Sequence, residues 1–160
     1  IQYQCFEQVA IRTVEDEKKV ESQDLCSEQS GGHIKNLYLR DKKKHNILLV
    51  DEQNRQIDLK ALPDLLGTGR SSFGSADRLL ENLGIRPGAV SPLSMITGVK
   101  HGVEIFIDSG LKNCRKLYVH PLVNDRTLEI DMDGLDVFFN KIGIGPVAYT
   151  HLTLPTNYPV

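Results

Sequence analysis

The sequence predicts an α+β domain built on a mixed, mainly antiparallel sheet flanked by helices. Three observations carry this. Short apolar or alternating runs at 34–40, 46–50, 103–107, 116–120 and 127–130 have the length and residue types of strands. Leucine-rich stretches at 59–66, 76–83 and 133–142 carry helical spacing and end on Gly67, Gly84 and Gly143. The strands arrive partly as hairpins and partly after helices, an order that suits a mixed sheet rather than a doubly wound parallel one.

The elements follow in order. Residues 1–30 read as a helical cap, with Thr13 as N-cap ahead of Glu15, Asp16 and Glu17. Gly31-Gly32 leads into the strand 34–40, and Asp41-Lys42-Lys43-Lys44-His45 turns the chain into the strand 46–50. A short strand is expected around Gln56-Ile57, and Asp58 then caps the helix 59–66. Ser75 caps the helix 76–83, whose Leu79, Leu80 and Leu83 form the buried stripe. Pro87-Gly88 fits the central pair of a type II turn. Asp133 opens the last helix, and residues 146–149 add a final short strand. Residues 1–150 make one domain; 151–160 contain Pro155 and Pro159 without periodicity and read as a loose or appended tail.

Composition narrows the class. With 40% hydrophobic and 25% charged residues in 160, the chain suits a soluble globular domain with a real core. No apolar run approaches the ~20 residues of a membrane span, and the first residues lack the pattern of a secretory signal. Cys5, Cys26 and Cys114 are odd in number and show no zinc spacing, which fits free thiols in a reducing cytoplasm. A formal charge of −2 does not mark a nucleic-acid binder as a whole. Local basic clusters exist at Arg40, Lys42, Lys43, Lys44 and His45, and at Lys112, Arg115 and Lys116; such clusters are most often solvated turns.

Three segments invite a chemical reading. In Lys35-Asn36-Leu37-Tyr38-Leu39-Arg40-Asp41, side chains alternate, so Lys35 shares a face with Leu37 and Leu39 while Asn36 shares one with Tyr38 and Arg40. A lysine at the head of a leucine row either snorkels to water or presents an amine at the mouth of a pocket. Gly88-Ala89-Val90-Ser91-Pro92 is either a surface turn or a loop that aims backbone N–H groups at an oxyanion. In His120-Pro121-Leu122-Val123-Asn124, the proline holds His120 extended at a strand end. There His120 orients a substrate or is satisfied by backbone, and Asn124 is a candidate hydrogen-bond partner for a ribose or an amine. There is no G-x-S-x-G elbow, Walker loop, H-E-x-x-H or dinucleotide fingerprint, and the carboxylates are scattered.

Together these segments resemble the YbaK/ProX superfamily of aminoacyl-tRNA deacylases, most of all the freestanding prolyl-tRNA editing proteins. The resemblance runs through Gly31-Gly32-His33-Ile34-Lys35-Asn36-Leu37-Tyr38-Leu39-Arg40-Asp41 and Asp58-Leu59-Lys60-Ala61-Leu62. It continues through Leu79-Leu80-Glu81-Asn82-Leu83-Gly84-Ile85-Arg86-Pro87-Gly88-Ala89-Val90-Ser91-Pro92, Val103-Glu104-Ile105-Phe106-Ile107-Asp108 and His120-Pro121-Leu122-Val123-Asn124. It covers roughly residues 6–149. One departure is that the family often carries His-Pro after an acidic residue near the N-terminus, whereas Glu7 is followed here by Gln8-Val9.

The resemblance implies hydrolysis of the ester joining a wrong amino acid to tRNA, above all alanine on proline tRNA, with no cofactor and no metal. It implies Lys35, Gly88 and His120 as catalytic residues, with Asn36 and Pro92 as substrate contacts, to which the reading of the residues themselves adds Ile34, Leu37, Ser91 and Asn124. The implied partner is the acceptor end of mischarged tRNA(Pro), with prolyl-tRNA synthetase as a further candidate, no membrane, and a cytoplasmic location. The rival from another class is a non-catalytic sensor of aminoacyl-tRNA or amino acid on the same fold; turnover by catalytic amounts of protein separates the two.

Overall fold

A computed structural model describes residues 1–7 and 31–149. Eight strands form one sheet: β1 (Tyr3–Glu7), β2 (Gly31–Asp41), β3 (Asn46–Glu52), β4 (Ser71–Phe73), β5 (Glu104–Asp108), β6 (Lys116–Val119), β7 (Arg126–Ile130) and β8 (Val147–Tyr149). Their order is β1-β7-β6-β2-β3-β5-β8, with β4 paired to β2 off this path. The pairs β1/β7, β2/β3, β2/β4 and β6/β7 are antiparallel, while β2/β6, β3/β5 and β5/β8 are parallel. The helices among the described residues are α1 (Leu62–Leu66), α2 (Ala76–Leu83), α3 (Met95–Gly98) and α4 (Met132–Ile142), joined by short 3₁₀ turns. The α+β class expected from the sequence is therefore the class found.

The sheet separates two apolar clusters. Central strand β3 is buried on both faces, which explains its unbroken Ile47-Leu48-Leu49-Val50. Leu48 and Val50 join Ile34, Tyr38, Ile105, Ile107, Leu117 and Val119 in the larger cluster, covered by Leu79 and Leu83 of α2 and Leu135 and Phe139 of α4. Ile47 and Leu49 join Leu39, Phe106 and Tyr149 in the smaller one, closed by Leu62 of α1. The β2–β3 turn is tied down by Asp41, a buried carboxylate that accepts from the amide and ring of His45 and from the Gly69 amide. Burial opposes its ionisation, but those hydrogen bonds and the His45 charge outweigh the penalty and hold its carboxyl below the ordinary range.

Several expectations shift. Residues 3–7 are a strand on β7, not part of a helical cap, and the remainder of that expected cap lies outside the described residues. No strand forms at 56–57; Ile57 instead packs against the smaller cluster. The helix after Asp58 starts only at Leu62, because Asp58 holds residues 58–61 in a turn through Lys60 N and Ala61 N. Leu80 is 56% exposed, so the buried stripe of α2 is Leu79 and Leu83 alone. Strand β6 stops at Val119, ahead of Pro121. Asp131, not Asp133, caps α4, accepting from the Gly134 amide at 2.6 Å. The 151–160 tail lies outside the described residues.

Candidate active site

Register builds the first part of the site. Lys35 is the cross-strand partner of Asp51, and Asp108 is the partner of Tyr149. Val50 pairs with Ile107, so Asp51 and Asp108, each next along its strand, are neighbours on β3 and β5. Lys35, Asp51, Asp108 and Tyr149 thus form one polar row across β2, β3, β5 and β8. The row lies on the face of Leu39, Leu49 and Phe106, and so caps the smaller apolar cluster.

The charges in this row are matched. Asp51 is fully buried; its carboxylate accepts from the Glu52 amide at 2.7 Å and from the Tyr149 hydroxyl at 2.9 Å. The Arg55 guanidinium spans both acids, with Nε 3.6 Å from Asp51 Oδ1 and Nη1 3.3 Å from Asp108 Oδ2. The half-buried Lys35 side chain donates its Nζ to the Arg55 carbonyl. The amine is therefore held inside the fold edge rather than released to bulk water. Carboxylates scattered in the sequence become a pair in space, with one arginine between them.

Tyr149 carries a consequence for pH. Burial, then the Asp51 charge and hydrogen bond, push its phenol above the ordinary value of 10.0. The raised native value means that its contribution to stability is whole below about pH 10 and is lost as pH climbs toward the native value. Above pH 10 the unfolded chain releases this proton and the native chain keeps it, so stability should fall by about 1.4 kcal/mol per pH unit from this group. Urea midpoints measured from pH 9 to 11 should show this slope, and Tyr149→Phe should flatten it by that amount; an equal slope in both proteins would refute the assignment.

His120 arrives from the neighbouring strand. β2 and β6 run parallel with His33 opposite Tyr118, and those rings stack at 4.7 Å and 14°. The ladder ends there; Lys35 lies two residues beyond His33 along β2, and His120 follows the last residue of β6, Val119. His120 is largely buried, and its Nδ1 lies 3.0 Å from the Arg126 carbonyl oxygen. A carbonyl only accepts, so Nδ1 carries the proton in this contact.

The 88–92 segment forms the other part. Gly88 has φ +91° and the Ala89 amide donates to the Arg86 carbonyl at 3.1 Å, which is the expected type II turn. Ala89 is buried and Val90 packs against the larger cluster. A cleft of 860 Å³ separates this turn from the segment after His120, with Ile85, Arg86, Pro87 and Ala89 on one wall and Leu122, Val123, Asn124 and Asp125 on the other. Asn124 and the glycine turn therefore meet. Neither Lys35 nor His120 lines that cleft, although His120 leads directly into its second wall.

Other sequence candidates fall differently. Ile34 and Leu37 lie on opposite faces, because three positions along a strand reverse the side; Ile34 is enclosed in the larger cluster and only Leu37 shares the face of Lys35. Asn36 likewise faces away from Lys35, and its buried Oδ1 has no hydrogen-bond partner among the described residues. Ser91 is fully buried with its hydroxyl accepting from the Leu93 amide, and Pro92 opens the following 3₁₀ turn, so both side chains serve the local fold.

The profile of the aminoacyl-tRNA editing domain matches residues 10–138. The chain belongs to this family. It is 32% identical over 137 residues to the prolyl-tRNA editing protein ProX of Acetoanaerobium sticklandii, covering 85% of this chain and 80% of that protein. It is 34% identical over 122 residues to the mouse prolyl-tRNA synthetase associated domain-containing protein 1, covering 73% and 72%. Among solved structures, the hypothetical protein APE2540 superposes with a TM-score of 0.68 at 17% identity, over 92% of this chain and 90% of that one. A candidate trans-editing enzyme for prolyl tRNA synthetase superposes at 0.65 and 16% identity, over 92% and 86%. At such identities these structures speak for the fold alone.

Within this editing domain, sequence reasoning missed Asp51, Arg55, Asp108 and Tyr149. A signal was present: Asp51 and Asp108 each interrupt an apolar strand at its C-terminal end. A carboxylate in that position needs a partner, and the row supplies it.

Proposed function

We propose that this editing domain is a trans-acting deacylase that hydrolyses mischarged tRNA, with alanyl-tRNA(Pro) as its preferred substrate. The observation that carries the reading is the half-buried Lys35 amine, anchored on the Arg55 carbonyl beside the buried carboxylates of the polar row. Membership of the editing family and the likeness to ProX point the same way.

Water adds to the ester carbonyl, the carbonyl oxygen becomes an oxyanion, and collapse releases the amino acid and the ribose hydroxyl, which takes up the water's proton. The ester is already activated, so positioning and oxyanion stabilisation supply the rate. Lys35 meets the negative charge of the terminal phosphate or of the carbonyl oxygen. His120, held through its Nδ1 proton on the Arg126 carbonyl, is the candidate that orients the water or a ribose hydroxyl. Ala89's amide is used in the turn, so the amides of Gly88, Val90 and Ser91 are the loop's candidate oxyanion donors. Asn124 is the candidate partner of the ribose or the amino group, and Asn36, on the other face of β2 from Lys35, is given no contact with the ester. No carboxylate is assigned as base; a substrate hydroxyl orients the water. Leu37, on the Lys35 face, is the apolar side chain positioned to restrict the amino-acid pocket, and the cost of excluding proline's ring is a matter of a few methylenes.

Among the described residues no helix is long and apolar enough to cross a membrane. A cytoplasmic site of action, at the acceptor end of tRNA and alongside prolyl-tRNA synthetase, follows from this reading of the substrate. The test is a panel of mischarged tRNAs with catalytic amounts of protein. Multiple turnovers on alanyl-tRNA(Pro), with prolyl-tRNA(Pro) cleaved at least about tenfold more slowly, are expected. Stoichiometric binding without turnover would replace the enzyme with a sensor.

A further inference from the structure

We propose that Arg55 is a positioning residue for Lys35: its guanidinium, clamped by two buried carboxylates, fixes the carbonyl that receives the lysine amine. The inference rests on the reading of Lys35 as the site's cation. Arg55 meets the row twice, through its side chain to Asp51 and Asp108 and through its own carbonyl to Lys35. A lysine stem has many rotamers, so its amine is located only as well as the group that accepts from it.

That acceptor sits on the turn leaving β3. The near end of the turn is tied to β2, because the Gln53 amide donates to the His33 carbonyl at 2.8 Å. The turn also closes on itself, Arg55 N to Glu52 O at 3.1 Å. At the far end, the guanidinium clamp is the link to β5, through Asp108.

Charge and space agree with this role. Asp51 and Asp108 with Arg55 carry a formal charge of −1, and a cation at Lys35 brings the four side chains to neutrality. A buried excess charge is costly, so the row favours an ammonium drawn inward. Gly110 leaves room for the clamp: a Cβ there would lie 3.2 Å from Asp108 Oδ2 and 3.7 Å from Arg55 Nη2. Gly110→Ala therefore presses on the ion pair without altering Arg55 itself.

Two readouts test the proposal. In protein with ¹⁵N-labelled lysine, the Lys35 ammonium should give a resonance protected from exchange, and Arg55→Ala should abolish that protection. In deacylation of alanyl-tRNA(Pro), Arg55→Ala should lower kcat by roughly ten- to a hundredfold with KM changed less than about twofold. The Lys35→Ala/Arg55→Ala double variant should be no slower than Lys35→Ala, and Arg55→Lys should recover only part of the loss, since it lacks the fork.

A folded Arg55→Ala that keeps the protected resonance, or whose loss multiplies that of Lys35→Ala, overturns the proposal. Should Arg55→Ala fail to fold, Gly110→Ala decides: a shifted Lys35 resonance supports the clamp and an unmoved one overturns it. If wild-type protein cleaves no mischarged tRNA, the deacylase reading falls, and the lysine resonance alone judges the role of Arg55.

Discussion

Lys35→Ala is expected to lower kcat/KM for alanyl-tRNA(Pro) by about a hundredfold or more, equivalent to ~2.7 kcal/mol of transition-state stabilisation. The amine is a positive charge held in a half-buried position on β2, where interaction with developing negative charge is stronger than in water. Lys35→Met is the sharper variant, because it keeps the stem and removes only the charge. Both variants leave the row with the formal charge of −1 of Asp51, Asp108 and Arg55, so urea midpoints should fall as well, and rates are compared on protein shown to be folded. The measurement is single-turnover deacylation across substrate concentrations. A fall in kcat with KM retained places the amine on the transition state, whereas a rise in KM alone places it on ground-state binding of the terminal phosphate. Hydrolysis at the wild-type rate in both variants removes Lys35 from the mechanism.

What the sequence disclosed about this fold follows from the kinds of signal involved. The bounds of helix α2 were legible to the residue because its cap and terminator are local: Ser75 accepts from Arg78 N, and Gly84 takes the left-handed conformation. The turn at Pro87-Gly88 was legible for the same reason, since only a few residue types suit φ +91°. Strand β4 was not, because Ser71-Ser72-Phe73 has neither alternation nor apolar weight and exists through its pairing with Leu39, Arg40 and Asp41.

The same contrast runs through the site. Lys35 stood out as a cation in an apolar row, but its companions come from strands distant in the chain. Asp51 and Asp108 become neighbours only once β3 and β5 pair in parallel, and no local pattern announces that register. The separation of Ile34 from Leu37 was available from alternation alone, since their spacing is odd. The role of Ser91 was hidden by its residue type: a serine after a glycine turn serves a ligand or a cap equally well, and its complete burial decides for the cap.

Asp51 should be the most costly carboxylate to remove. Asp51→Ala leaves the buried Tyr149 hydroxyl and the Glu52 amide without their acceptor and leaves Arg55 with Asp108 as its only acidic partner in the row. Breaking a buried charge network by deleting one member costs about 3–5 kcal/mol, a large share of the stability of a domain this size. Asp51→Asn preserves volume but replaces one acceptor oxygen with a donor, which faces either the Glu52 amide and the guanidinium or the tyrosine hydroxyl; a loss of about 2–3 kcal/mol is expected. Urea denaturation at pH 7 measures both, and a loss under about 1 kcal/mol for Asp51→Ala would show that the row is solvated in solution. The alkaline limb gives an independent check with a defined sign. Asp51 raises the Tyr149 phenol through charge and hydrogen bond, so removing it lowers the native value toward the unfolded one. The loss of stability above pH 10 should then level off at a lower pH in Asp51→Asn than in wild type, even though Asp51→Asn is less stable throughout. A protein merely loosened by the substitution would lose stability at every pH without this change in slope, which separates a broken network from a general loss of packing.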